Sequence, residues 1–132
     1  MKLFITMKKA LILPLLLITC LCFAQDAKEI IGKPVKIGNL LVAQNDFPKE
    51  MEWADAKKAC LALGKGWRLP TKKELDFLYA NRFEIGGFVR WYYWSSTGTN
   101  NTNAWKQSFN NGVQITTTSS ENTSNVRAVK SL

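Results

Sequence analysis

The stretch GWRLPTKKEL, Gly66–Leu75, carries the clearest structural signal in the chain. Thr71 and Glu74 have the spacing of a capping box, in which the threonine hydroxyl accepts a hydrogen bond from the amide of Glu74 and the glutamate carboxylate accepts one from the amide of Thr71. Pro70 restricts Leu69 to an extended conformation. The pattern predicts a sharp turn into a helix that begins after Thr71 and ends before residues 86–87.

Arg68, within the same stretch, has two interpretations. A buried guanidinium needs partners for its donors, and the end of a preceding helix has carbonyl groups without intrahelical partners. We therefore expect Arg68 to act as a structural clamp on those carbonyls. An anion-binding site at Arg68 is the alternative.

An amphipathic segment lies directly upstream. Trp53, Ala56, Cys60 and Leu63 recur at helical spacing and define one apolar face. Gly64 stands where a helix commonly ends with a left-handed residue. We expect a helix here, with Cys60 buried as a small hydrophobic side chain.

Runs of β-branched and aromatic residues surround these two helices. Strands are expected within residues 35–44, 91–97, 104–109, 113–118 and 125–131. Asn111-Gly112 predicts a hairpin with a type I′ turn, in which both central residues have positive φ. The predicted fold class is α+β, with two helices packed on an antiparallel β-meander.

The first 24 residues have the composition of a secretory signal peptide. Three lysines precede an apolar run in residues 10–23, which is short for a transmembrane helix of about 20 residues, and residues 22–24 resemble a cleavage site. We expect cleavage after Ala24 and export to the periplasm or the extracellular space, with no transmembrane span afterwards. A lipoprotein anchored through Cys20 or Cys22 is the alternative. Residues 25–34 are expected to form a tether with little structure, and residues 35–132 a single domain.

Composition restricts the function further. The net charge of +8 in an exported protein favours acidic glycans, anionic lipids or an acidic protein over nucleic acid, unless it serves solubility alone. The sequence has no histidine, and Cys60 is the one cysteine beyond residue 24. Ser-His and Cys-His nucleophiles are therefore excluded and a catalytic zinc site is not expected. Glu121 is the one acid after residue 86, which argues against calcium-dependent sugar binding. We expect no catalytic residue, metal or cofactor.

Three motifs follow one another along the chain: Gly66–Leu75, Tyr93–Thr97 and Val126–Val129. Together they resemble the DUF1566 domain, a family also named for the C-terminal domain of a bacterial collagen-like adhesin, and the resemblance covers residues 40–130. It implies a fold similar to C-type lectin-like and sulfatase-modifying-factor-like domains, in an exported module often found on surface or adhesion proteins. It implies no established catalytic residues, and some relatives are associated with sulfated glycans.

The signature residues of this resemblance are interpreted as structural. They are Trp53, Cys60, Trp67, Arg68, Thr71, Glu74, Trp94, Ser95, Ser96 and Arg127. Many members of the family carry a second cysteine at the position that matches Ala128, which would pair with the helix cysteine. Because alanine stands there in this chain, we expect Cys60 to be a free, buried thiol that faces Ala128.

Aromatic and asparagine residues outside the signature are the candidates for ligand contact, since aromatic faces stack on sugar rings and amides reach hydroxyl groups. They are Arg90, Trp91, Tyr92, Asn100, Asn101 and Trp105. An ordinary sheet face is the alternative for each. The expected function is a secreted, non-enzymatic binding or adhesion module for an acidic glycan or a cell-surface partner. The alternative is a structural or assembly subunit of an envelope or surface protein complex.

Overall fold

The computed structural model describes residues 26–118 and 122–132. The helices are α1 (residues 26–31), α2 (Trp53–Ala62), α3 (Lys72–Ala80) and α4 (Arg82–Ile85). The strands are β1 (Val35–Ile37), β2 (Leu40–Val42), β3 (Trp67–Arg68), β4 (Tyr92–Gly98), β5 (Asn103–Ser108), β6 (Gln114–Thr118) and β7 (Val129–Ser131). The signal peptide and cleavage site expected in residues 1–24 lie outside the described residues.

Two antiparallel sheets form the β layer. The first has the strand order β1-β2-β7-β3, and the second is the meander β4-β5-β6. The expected α+β class with antiparallel pairing is confirmed. The arrangement of two helices on one meander is matched only roughly, because the described residues hold four helices and the last strand pairs with β2 and β3 in the other sheet.

The N-terminal part of the domain differs from its expected structure. Residues 26–31, expected to be an unstructured tether, form α1, whose Ile30 is buried in the core. The single strand expected in residues 35–44 is a hairpin of β1 and β2. Gly38 lies between them with φ at +55°, a conformation that glycine adopts without steric cost and that reverses the chain where the sequence alone reads as continuous β.

The starts of both predicted helices and the end of the first are confirmed, whereas the second predicted helix is broken at Asn81 into α3 and α4. Trp53, Ala56 and Cys60 are the buried residues of α2, and Gly64 follows the helix with positive φ. At α3, the hydroxyl of Thr71 accepts from the amide of Glu74 at 3.2 Å, and the carboxylate of Glu74 accepts from the amide of Thr71 at 2.9 Å. The capping box therefore accounts for Thr71 and Glu74 without a ligand.

Arg68 does not bind the helix-end carbonyls that the sequence analysis expected as its partners. Its guanidinium forms a bidentate pair with Glu74, at 2.7 and 2.9 Å, and donates to the hydroxyl of Ser131 at 2.7 Å. At the end of α2, where carbonyl partners were expected, the carbonyls of Cys60 and Leu61 accept backbone amides from the turn that follows the helix. The pairing of β3 with β7 holds Arg68 beside the first turn of α3 instead.

The hairpin between β5 and β6 forms, but not with the expected turn. Its loop spans residues 109–112, closed by hydrogen bonds from the amide of Gly112 to Ser108 and from the amide of Ser108 to Val113. Gly112 has φ at +81°, and no non-glycine residue in the described part of the chain has positive φ, so Asn111 excludes a type I′ turn. Phe109 is buried against Tyr93, which removes it from the strand and lengthens the loop.

The core has two clusters. The first gathers Trp53, Cys60, Trp67, Trp94 and Ala128 with their neighbours, and the second lies between α3, β4 and β7. Cys60 is a free, fully buried thiol, and burial raises its pKa to about 12. It lies in the same core cluster as Ala128, the residue that it was expected to face.

Hydrogen bonds lock the buried aromatic signature into place. The indole of Trp53 donates to the carbonyl of Ser95 at 2.8 Å, and that of Trp94 donates to the carbonyl of Met51 at 2.7 Å. The amide of Ser96 donates to the carbonyl of Pro70 at 2.7 Å, which ties β4 to the corner before α3. The signature residues thus join the helices to the meander.

Candidate functional site

The six residues expected to contact a ligand fall into two groups at opposite ends of the β4–β5 hairpin. Arg90, Trp91 and Tyr92 lie where β4 begins, whereas the loop with Asn100 and Asn101 joins the far end of β4 to β5. The hairpin register pairs Trp94 with Lys106 and Tyr93 with Gln107. Because side chains alternate along a strand, Trp105 lies on the opposite face from Tyr92. The structure therefore does not bring the six together into one surface.

The group at the start of β4 adjoins a cleft of about 420 Å³. We call it the arginine cleft. It lies between α4, the segment that follows it, and the turn between β5 and β6. Its lining residues are Arg82, Phe83, Gly86, Gly87, Phe88, Val89, Arg90, Phe109 and Asn110. None of them carries a carboxylate, thiol, imidazole or hydroxyl group, so the cleft offers cations, aromatic edges and amides but no group for acid–base or nucleophilic chemistry.

Arg82, the first residue of α4, is held in the cleft by contacts with Tyr79 of α3. Its guanidinium donates to the carbonyl of Tyr79 at 2.8 Å and lies over the rings of Tyr79 and Phe83, 4.1 and 4.4 Å from their centroids. The stacking leaves part of the planar fork free to donate, and an arginine so placed is pre-organised for a carboxylate or a sulfate.

Arg90 is the second cation of the cleft and makes fewer contacts than Arg82. It is exposed, and within the described ranges no hydrogen bond or ion pair engages it. Around it stand exposed aromatic side chains: Phe83 is 84% exposed, and Trp91 is 58% exposed with its ring edge-on to Tyr92 at 5.5 Å. An unpaired guanidinium can donate to an anionic group, and the open aromatic faces beside it are available for stacking.

A buried network supports the cleft from below. Arg127 is 1% exposed; its Nε donates to Asp46 at 2.6 Å, its Nη1 donates to the carbonyls of Ala43 and Gly86 at 3.2 Å each, and its guanidinium stacks on Phe88 at 4.1 Å. The carbonyl of Gly86 and the ring of Phe88 belong to the cleft lining. Arg127 therefore fixes the cleft segment to the β2 side of the domain.

Tyr93 extends the same network to the other side of that segment. Its hydroxyl donates to Asp46 at 2.5 Å and accepts from the amide of Val89 at 2.9 Å. Burial, followed by the neighbouring Asp46 carboxylate, raises the pKa of the Tyr93 phenol, so the phenol stays a donor at physiological pH. Burial also raises the pKa of Asp46, against the opposing effect of Arg127.

The group at the far end of the hairpin forms a separate polar face. Trp105 is half-buried, and the ammonium of Lys72 lies over its ring at 3.5 Å. The amide oxygen of Asn100 accepts from the amides of Thr102 and Asn103 and from the Thr102 hydroxyl, all within 2.9 Å. Asn100 thus builds its own loop, while Asn101 is exposed.

Tyr92 is partly covered on its own face of the sheet. The ammonium of Lys106 lies 4.6 Å from its ring centroid, and burial lowers the pKa of Lys106 while Glu50 opposes that effect. The covered ring leaves Trp91 as the more open aromatic side chain of this pair.

Eight of the nine residues that line the cleft were missed as ligand-contact candidates by sequence reasoning, and Arg90 was found. The eight are Arg82, Phe83, Gly86, Gly87, Phe88, Val89, Phe109 and Asn110. Helical spacing does not reveal Phe83, because it stands eight positions after Leu75 and so continues the apolar face that Leu75 and Leu78 set in α3. The break at Asn81 places Phe83 in α4 instead, where it is exposed.

Metal and membrane features were sought across the same residues. Within residues 26–118 and 122–132, no three His, Cys, Asp or Glu side chains are grouped closely enough to hold a metal ion. In that part of the chain, no helix has the length and apolar character needed to cross a membrane.

Comparisons with known proteins agree with the fold. The crystal structure of botrocetin, a C-type lectin-like protein, aligns with a TM-score of 0.54 and 16% sequence identity, covering 76% of this chain and 96% of the other. At that identity the likeness concerns the fold alone. A search of curated proteins found no match. The model of one family, described as the Lcl C-terminal domain and DUF1566-like, matches residues 22–130, so this chain belongs to that family.

Proposed function

We propose that this chain is an exported, non-enzymatic binding module that recognises an acidic glycan through the arginine cleft. The observation that carries the proposal is the unpaired Arg90 beside the stacked Arg82, with Phe83 and Trp91 open to solvent around them. The family and the lectin-like fold support a binding module. The choice of glycan rests on the chemistry of the cleft.

The ligand chemistry follows from the groups present. Guanidinium forks bind carboxylates and sulfates in a bidentate manner, and the exposed ring of Trp91 can stack on a sugar ring. A neutral sugar would use only the aromatic groups and the amide of Asn110, whereas a uronic acid or a sulfated sugar would use both arginines as well. The cleft therefore favours an acidic glycan over a neutral one.

Retention on a heparin column at increasing salt tests this proposal, because contacts between exposed charges weaken as salt screens them. We expect the wild type to be retained and Arg90→Ala to elute at lower salt, with about a tenfold loss of affinity, equal to about 1.4 kcal/mol. Lys36→Ala is the matched control, since Lys36 is an exposed cation on β1 outside the cleft.

A second matched pair separates the two groups of candidate residues. Trp91→Ala should weaken retention because it removes the open ring next to the cleft, whereas Trp105→Ala should leave retention unchanged. Equal losses for Arg90→Ala and Lys36→Ala would mean that the net charge alone causes retention. A loss confined to Trp105→Ala would move the site to the opposite face of the hairpin. Either result would contradict binding at the cleft.

A further inference from the structure

A second opening, unlike the arginine cleft, lies between α1, α2 and residues 47–51. This apolar groove has a volume of about 590 Å³. Its walls are formed mainly by the apolar side chains of Ala27, Ile30, Phe47, Met51, Ala62 and Leu63. An apolar groove of this size on a small domain is a typical place for an apolar side chain of a partner to dock.

The rim of the apolar groove is acidic. Asp26, Glu29 and Glu50 line it together with one cation, Lys49. Neither of the two ion pairs found among the described residues involves these acids. In a chain of net charge +8, such a rim selects a partner that combines apolar side chains with positive charge.

The same chain presents a surface of that composition. Among the residues that the structure describes, Phe83 is the most exposed large apolar side chain, and Val89 and Trp91 are also exposed. Arg82 and Arg90 flank them. We call these five residues the basic apolar patch. The ring of Phe83 projects from the short helix α4. A projecting apolar ring is the kind of group that an apolar groove accepts.

We propose that the apolar groove of one molecule binds the basic apolar patch of a second copy of this chain. Phe83 of one copy would enter between α1 and α2 of the next, while Arg82 and Arg90 would face the acidic rim. The two surfaces are different, so the contact is head-to-tail, and repetition of it gives a ring or an open chain. The apolar contact supplies the affinity, and the charges set the orientation.

Complementing variants test this contact by sedimentation velocity over a range of protein concentrations. The wild type should form oligomers as concentration rises. Ala62→Gln places a polar amide in the apolar groove, and Phe83→Ser removes the projecting ring. Each variant alone should self-associate at least about tenfold more weakly than the wild type. Ala62→Gln keeps an intact patch and Phe83→Ser an intact groove, so an equimolar mixture should form a discrete complex of two different chains.

Leu61→Gln is the matched control for the groove, because Leu61 is an exposed apolar side chain of α2 that does not line it. Leu61→Gln should associate as the wild type does. A wild type that stays monomeric at every concentration, a Leu61→Gln variant as impaired as Ala62→Gln, or a mixture that fails to form the complex would overturn the proposal.

Glycan binding and self-association can fail separately. Ala62→Gln changes no charge and lies outside the arginine cleft, so its retention on heparin at low protein concentration should equal that of the wild type. Loss of association with unchanged retention supports the head-to-tail contact and leaves the glycan proposal intact. The arginine cleft shares Arg82, Phe83 and Arg90 with the basic apolar patch, so only the groove belongs to self-association alone. Loss of both in Ala62→Gln would contradict the separation of the groove from the arginine cleft.

Discussion

The apolar groove and the arginine cleft are openings of similar scale with opposite chemistry. The groove, over the first core cluster, has apolar walls and a rim with three acids and one lysine. The cleft, over the second cluster, contains two arginines and no acid. The comparison shows that the positive charge of this chain is not spread evenly, so the two openings suit different partners.

One buried residue, Arg127, connects the part of the domain around the apolar groove with the part around the arginine cleft. Arg127 binds Asp46 and Ala43 on the side of the groove, and Gly86 and Phe88 on the side of the cleft. The shape of the cleft thus depends on a guanidinium that no ligand reaches. Substitution of Arg127 should therefore lower the stability of the fold more than substitutions in the groove or the cleft do.

The largest effect is expected for Arg127→Leu. It removes the ion pair at 2.6 Å and leaves the Asp46 carboxylate in a mostly buried site without its cation, so the free energy of unfolding should fall by about 3–5 kcal/mol. Arg68→Leu is the control, because that pair is about one-third exposed at its arginine and should contribute about 1 kcal/mol or less. Urea denaturation followed by tryptophan fluorescence measures both. Equal losses of unfolding free energy in Arg127→Leu and Arg68→Leu would show that Arg127 does not connect these two parts of the domain.

A smaller effect is expected for Gly112→Ala, beside the cleft. Gly112 has φ at +81°. An added Cβ would lie 2.5 Å from the ring of Tyr79, and the guanidinium of Arg82 stacks on that ring. The backbone conformation alone costs about 1–3 kcal/mol for a non-glycine residue, and the contact with Tyr79 adds to it.

Gly38→Ala is the comparison for the backbone part of that cost. Gly38 has φ at +55°, and an added Cβ would lie 3.3 Å from the ring of Phe77, which is 40% exposed and free to shift. The loss of stability in Gly112→Ala should therefore exceed that in Gly38→Ala, as measured by thermal unfolding. Equal losses would show that Tyr79 moves aside freely and does not hold Arg82.

The smallest effect is a pH dependence at the corner before α3. The hydrogen bond from Arg68 is the main cause that lowers the pKa of Glu74. A carboxyl whose pKa is lower in the folded state gives stability that is complete above its unfolded value of about 4.3 and is lost as the pH falls through the folded value. Glu74→Gln should thus be less stable than the wild type at neutral pH, and the difference should shrink in acid. A difference that is constant with pH would contradict this.

The parts of the fold that the sequence predicted are those with local causes. The capping box at Thr71, the apolar face of α2 and the glycine after it depend on side chains within a few positions of one another. The hydrogen bond from Arg68 to Ser131 could not be predicted in the same way, because Ser131 lies on β7, 63 residues away. The pair of Arg68 with Glu74 spans six residues and was within reach of local reasoning, but the sequence analysis assigned Glu74 to the capping box alone. The turn at Asn111 also differed, since Phe109 packs into a distant core cluster.

The candidate site was predictable only in part for the same reason. Arg90 and Trp91 were identified from their chemistry, but their distance from Trp105 follows from the register of β4 with β5. Arg82 and Phe83 come to the cleft because α4 follows α3 after a break at Asn81. No local pattern in the sequence places these residues beside the β5–β6 turn.

Mapping amide chemical shifts by NMR while a heparin oligosaccharide is added tests binding at the arginine cleft most directly. If the cleft is the site, the largest saturable shifts should lie in residues 82–92 and 109–110, and Arg90→Ala should reduce them. Saturable shifts centred on Trp105 and residues 100–103, or no saturable shift at all, would contradict it.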